Sequence, residues 1–83
     1  MKILRERMLR CQWGRQVTVR MWVADEGQDD DYFDDLRRQV VSMLQQGPGR
    51  PGLADEIIAL DGMNAVEVLG TDGIGVVLYK DWP

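Results

Sequence analysis

Residues 16–23 read QVTVRMWV and alternate without a break: Val17, Val19, Met21 and Val23 fall on one side, Gln16, Thr18, Arg20 and Trp22 on the other. A period of two in β-branched and aromatic residues marks a strand with one buried face. No other feature constrains the chain so strongly, because a sheet with an apolar face must lay it against a second layer. The covering layer follows in the sequence. From residue 33 the period lengthens, and Phe33, Leu36, Val40, Met43 and Leu44 recur at helical spacing, which predicts a helix over about 30–46.

Between these two elements lies DEGQDDDYFDD, in which seven of eleven residues are carboxylic acids: Asp25, Glu26, Asp29, Asp30, Asp31, Asp34 and Asp35. Helix-start chemistry accounts for much of it. Asp29 or Asp30 is suited to cap the helix by accepting from a free first-turn amide. Asp31, Asp34 and Asp35 favour the positive end of the helix dipole, and Asp34 lies within reach of both Arg37 and Arg38. Gly47 is expected to stop the helix in a left-handed conformation, with Pro48 blocking continuation.

WGRQ, 13–16, offers a two-residue turn with Gly14 where a positive φ is wanted. The segment 7–13 then becomes a hairpin partner, with Leu9, Cys11 and Trp13 on one face. The same N-terminal stretch also carries helical spacing at Leu4, Met8 and Cys11; the turn favours the strand. After the GPGRPG loop at 47–52 come three short strand candidates, 56–60, 65–69 and 74–79, separated by DGMN and GTDG turns. The expected class is α+β: one helix packed on one face of a four- to five-stranded antiparallel sheet, in the order β-β-α-β-β-β. Ile58, Leu60, Val66, Val68, Ile74, Val76 and Leu78 are the expected additions to the core.

Eighty-three residues make one small domain. A single cysteine, Cys11, allows no internal disulfide and points to a reducing, cytoplasmic setting. No secretory signal or membrane helix is visible. Function classes narrow in the same way. The carboxylate run fits no calcium loop: from Asp25 the sixth and twelfth positions are Asp30 and Leu36, and from Asp29 they are Asp34 and Val40. The chain has no histidine and one cysteine, against the four nitrogen or sulfur ligands of a zinc site. No metal or other cofactor is therefore expected. Without histidine, and with a lone serine at Ser42 inside the helix, no activated nucleophile is available, so a non-enzymatic role is expected. GPGRPG and GTDGIG lack the Lys-Ser/Thr pair of a phosphate loop and read as turns.

Two surfaces remain. If the helix covers the Val17 face, Trp22 lies on the opposite one beside Arg20, and alternation adds Val77 and Tyr79 with Gly75 between; Ile57 is a further candidate. Trp, Tyr and Arg dominate binding hot spots, so this face predicts a protein partner, either another protein or a second copy in a homodimer. The second surface is the acidic helix start. Asp29, Asp30, Asp31, Asp34 and Asp35 could imitate phosphates and block a basic nucleic-acid-binding surface, as an inhibitor or immunity-type protein would. The N-terminal arginines with Trp13 and Trp22 supply the ingredients of direct nucleic-acid binding. However, residues 21–83 carry four basic against thirteen acidic side chains, and the whole chain is −4, which opposes a polyanion. Trp82, in KDWP, is expected to plug one edge of the core.

Overall fold

Backbone pairing of four strands carries the fold in the computed structural model, which describes residues 5–47, 51–70 and 75–80. Strands β1 (Glu6–Trp13), β2 (Val17–Ala24), β3 (Met63–Gly70) and β4 (Gly75–Tyr79) form one antiparallel sheet in the order β1-β2-β3-β4. Helices α1 (Asp30–Gln45) and α2 (Leu53–Ile58) are both inserted between β2 and β3. The class is α+β, and among the described residues the order is β-β-α-α-β-β.

β1 is a strand, for the reason Gly14 implies. Its φ of 54° turns the chain, and the Gln16 N–H donates to the Trp13 carbonyl at 3.1 Å. The register runs Trp13↔Val17, Cys11↔Val19 and Leu9↔Met21. Three residues thus lie in the loop, one more than the two-residue turn expected. Val17, Val19, Met21 and Val23 are all buried, while the residues between them are not. Residue parity carries this face to Leu9 and Cys11 on β1 and to Val66 on β3. A bulge at Asn64 shifts the β2–β3 register, so that Met63 opposite Val23 also faces inward.

α1 begins as read. Asp29 Oδ1 accepts from the Tyr32 N–H at 3.0 Å, and Phe33, Leu36, Val40 and Leu44 are buried at spacings of three and four. Met43 is only partly buried at the border of the core. The helix does not end on a left-handed glycine. Its C-cap is Gln46 in the right-handed region, whose N–H, like that of Gly47, closes a last tight turn, and Gly47 has no positive φ.

The main correction is α2. The segment 56–60, expected as a strand, belongs largely to a second helix. Gly52, at φ 81°, starts it, and Leu53 and Ile57 are buried four residues apart on one face. The adjacent pair Ile57-Ile58 imitates a strand, but the spacing that matters reaches back to Leu53. Consequently Ile57 sits in the core at 0% exposure, not on the outer sheet face. Leu60 and Met63 then close a turn (Met63 N–H to Leu60 carbonyl, 3.3 Å) with Gly62 at φ 85°, so Asp61-Gly62 joins a helix to a strand. α1 packs on β1, and α2 on β3 and β4. Val76, expected in the core, is 49% exposed, because it lies on β4, a strand at the edge of the sheet with no neighbour beyond it among the described residues. Val68 and Leu78 are half-buried. The expected positions of Ile74, the GTDG turn and Trp82 lie outside the described residues.

Candidate functional site

Both helices lie on one face of the sheet, so the other face has no layer over it among the described residues. Its composition follows from strand parity. β1 presents Glu6, Met8, Arg10 and Gln12; β2 presents Thr18, Arg20 and Trp22; β3 presents Ala65, Glu67 and Leu69; β4 presents Gly75, Val77 and Tyr79. The registers arrange these side chains in rows. Met8, Trp22, Ala65 and Tyr79 stand side by side across all four strands. The next row is Arg10, Arg20, Glu67 and Val77.

The first row is the apolar centre. Ala65 is only 3% exposed although it faces outward, since Trp22 and Tyr79 flank it. Tyr79 is 69% exposed, Met8 50% and Val77 44%. Glu6, Trp22, Ala65 and Tyr79 line a shallow depression of about 260 Å³, and Met8, Arg10, Thr18, Arg20 and Leu69 line a second of about 310 Å³. Both are open to solvent, the first just below and the second at the low end of the volume range of small-molecule pockets.

The second row sets the charge. Arg20 Nη2 lies 2.5 Å from Glu67 Oε1 on the neighbouring strand. With Arg10 and Glu6 the face holds two basic and two acidic side chains, which balance. Arg20 is therefore held in place by Glu67 and is not a free cation seeking phosphate.

Arg20, Trp22, Val77 and Tyr79, singled out from the sequence, thus share one face; Ile57 does not. Met8, Ala65 and Leu69 belong to the same face and were missed. The signal for them was parity: extending the alternation of Val66 and Val68 outward assigns Ala65 and Leu69, and accepting the Gly14 hairpin assigns Met8.

The acidic helix start lies on the helix side of the sheet, away from Trp22. Arg7 on β1 reaches into it, with Nε 3.3 Å from Asp25 and Nη1 3.0 Å from Asp30, and its guanidinium sits 4.1 Å over the Phe33 ring. The hydrogen bond to Asp30 is the main cause that raises the Arg7 pKa above its ordinary value, joined by the charge of Asp25. Asp34 pairs with Arg37 at 2.6 Å and Asp35 with Arg38 at 2.8 Å. Asp29 caps the helix. Five of the seven carboxylates thus have partners within the chain, while Asp31 is exposed. Asp30 and Asp35 nevertheless keep 90% and 63% of their side-chain surface.

The ingredients of a nucleic-acid groove are divided between the two faces of the sheet. Trp13 packs against the core and Trp22 faces the other way; Arg7 points to the helix side and Arg10 and Arg20 to the open side. Cys11 is buried with its thiol 3.8 Å from the Arg37 carbonyl, and burial raises its pKa above the ordinary thiol value. Among the described residues no three of Cys, Asp and Glu converge as a metal site would require, and no helix is long and apolar enough to cross a membrane. Compared with known proteins, the chain matches no family model, no curated protein and no solved structure.

Proposed function

We propose that the protein is a small, non-enzymatic protein-interaction module that contacts its partner through the helix-free face of the sheet. One observation carries the reading: Met8, Trp22, Ala65 and Tyr79 form a continuous apolar row across four strands with no covering layer among the described residues, beside the Arg20–Glu67 pair. Large aromatic and arginine side chains at the centre of a charge-balanced surface are the composition of an interface core. The partner is a protein, and the fit is to an apolar, weakly charged surface.

The experiment is crosslinking capture with the wild-type chain, the double variant Trp22→Ala/Tyr79→Ala, and the quadruple variant with Asp30, Asp31, Asp34 and Asp35 replaced by Asn. Loss of the captured species in the first variant and retention in the second supports the reading, provided the circular dichroism of both is native. Capture that survives Trp22→Ala/Tyr79→Ala refutes it. The alternative, a phosphate-imitating inhibitor of a basic enzyme, keeps one supporting observation, the high exposure of Asp30 and Asp35. It predicts the reverse pattern of losses.

A further inference from the structure

β4 is the last strand of the sheet, and its hydrogen-bonding direction can be read from its end. The Lys80 N–H donates to the Asn64 carbonyl at 2.9 Å. In an antiparallel ladder, residues that exchange hydrogen bonds alternate with residues whose backbone groups turn the other way. From Lys80 and Asn64 the alternation assigns Leu78 with Val66 and Val76 with Val68 as the bonded pairs. The N–H and C=O groups of Gly75, Val77 and Tyr79 therefore point away from β3. No described residue takes them up. Unpaired edge groups template another strand unless charge, proline or a covering element protects them. GVVLY has none of the first two, and Val76, Val77 and Tyr79 are all exposed. The other edge differs: β1 carries Glu6, Arg7 and Arg10, and α1 packs against it.

We infer that β4 pairs with β4 of a second copy of this chain, antiparallel about a two-fold axis at Val77. Of the symmetric registers, only this one uses every outward group. Val77 faces Val77 and Gly75 faces Tyr79 of the second copy, giving about six hydrogen bonds in all. The side chains fit the same register. On the open face the exposed Tyr79 ring lies over a glycine, a small-to-large match that shields the glycine backbone. On the helix side Val76 meets Leu78. The whole segment is uncharged, so a chain of net charge −4 can meet itself here without facing like charges. The acidic helix start is tied to Arg7 on β1, three strand spacings or roughly 14 Å from this edge, and pairing leaves the two acidic clusters at the far ends of the joined sheet. A strand of five residues makes a contact in the small, transient class of interfaces, so the dimer forms at high concentration. Because the two-fold axis stands perpendicular to the sheet, both open faces lie on one side and merge into a single eight-stranded surface. Edge pairing shares the Tyr79 ring with the open-face contact but rests on the outward backbone groups of β4, so Trp22→Ala separates the two readings.

The test combines solution mass with amide hydrogen exchange, on the wild-type chain from micromolar to millimolar concentration. The mass is expected to rise from 9.5 kDa toward twice that value. Over the same range the outward amides of Val77 and Tyr79 should gain about tenfold or more in protection. Val76→Lys places a charge against Leu78 of the second copy and should hold the chain monomeric, without touching the open face. Val77→Pro removes an outward N–H but no bond to β3, so it should do the same in a folded monomer. Trp22→Ala should associate like wild type. A monomer at all concentrations, or unprotected Val77 and Tyr79 amides in a dimer, overturns the pairing. Association lost in Trp22→Ala and kept in both β4 variants also overturns it, and assigns self-association to the open face.

Discussion

The placement of Ile57 can be tested against the placement its neighbour would have in a strand. Ile57 is 0% exposed and anchors α2 to the sheet, whereas Ile58 is half-buried at the border of the core. Ile57→Ala deletes three carbons. Transfer alone costs about 2.4 kcal/mol at ~0.8 kcal/mol per methylene. The unfilled space, roughly 80 Å³ if nothing relaxes, adds up to about 2 kcal/mol at ~24 cal/mol per Å³. The expected loss is therefore about 3–4 kcal/mol, against a total stability on the order of 5 kcal/mol for a chain this short. Ile58→Ala, with less surface to lose, should cost about 1 kcal/mol. Urea unfolding followed by tryptophan fluorescence reads both. With a slope near 1 kcal/mol per molar, Ile57→Ala should lower the midpoint by about 3 M and Ile58→Ala by about 1 M. A strand over 56–60 with Ile58 inward predicts the opposite order. A larger shift for Ile58→Ala than for Ile57→Ala would show that the reasoning about α2 is wrong.

Three further expectations concern single contacts. Asp29→Ala removes the acceptor for the Tyr32 N–H and should cost about 1 kcal/mol in thermal or urea unfolding, while Asp31→Ala should cost less than half of that. Gly62→Ala puts a methyl 3.0 Å from the Tyr32 hydroxyl at a φ of 85°, while at Gly27, φ 92°, nothing lies within 4 Å. Both substitutions should lose about 1–2 kcal/mol to backbone strain, Gly62→Ala should lose more, and Tyr32→Phe in that background should recover the difference in a double-mutant cycle. The buried Cys11 thiol, its pKa raised by burial, should react with a thiol reagent at pH 8 only on unfolding. Because its folded pKa is the higher one, its contribution is fully present below the ordinary thiol pKa and lost as pH rises through the folded one, so stability should fall with pH there, and less so in Cys11→Ala.

Much of the architecture was legible in short-range pattern. The alternation of 17–23 assigns both faces of β2, Gly14 announces the hairpin, and the Phe33–Leu44 spacing with Asp29 before it yields α1 nearly to the residue. These signals are local: each concerns side chains on one element or the backbone of one turn. The same parity, applied to β2 and β4, places Arg20, Trp22, Val77 and Tyr79 on a common face. It fails where pattern is too short to have a period. Six residues of α2 hold fewer than two turns, and two adjacent isoleucines satisfy a strand as well as a helix. The decision came from Leu53, whose position four residues earlier puts it and Ile57 against the sheet together.

Partnership between distant charges was not legible either. Seven carboxylates in eleven residues read as an open acidic patch, yet Arg7, eighteen and twenty-three positions away from Asp25 and Asp30, crosses from β1 to hold both. Sequence carries no distance between such residues until the strands pair. The sequence by itself determined which residues of β2 and α1 are buried, where the first hairpin turns, and which faces these long elements present. Only the tertiary structure decided that both helices cover the same face, that β1 and β4 lie at opposite edges, and that the acidic cluster and the Trp22 row stand on opposite sides of the sheet. The reason is physical: burial and turn geometry are set within a few residues by hydrophobicity and backbone sterics, whereas the order of strands and the choice of covered face are set by which apolar surfaces can close on one another at once.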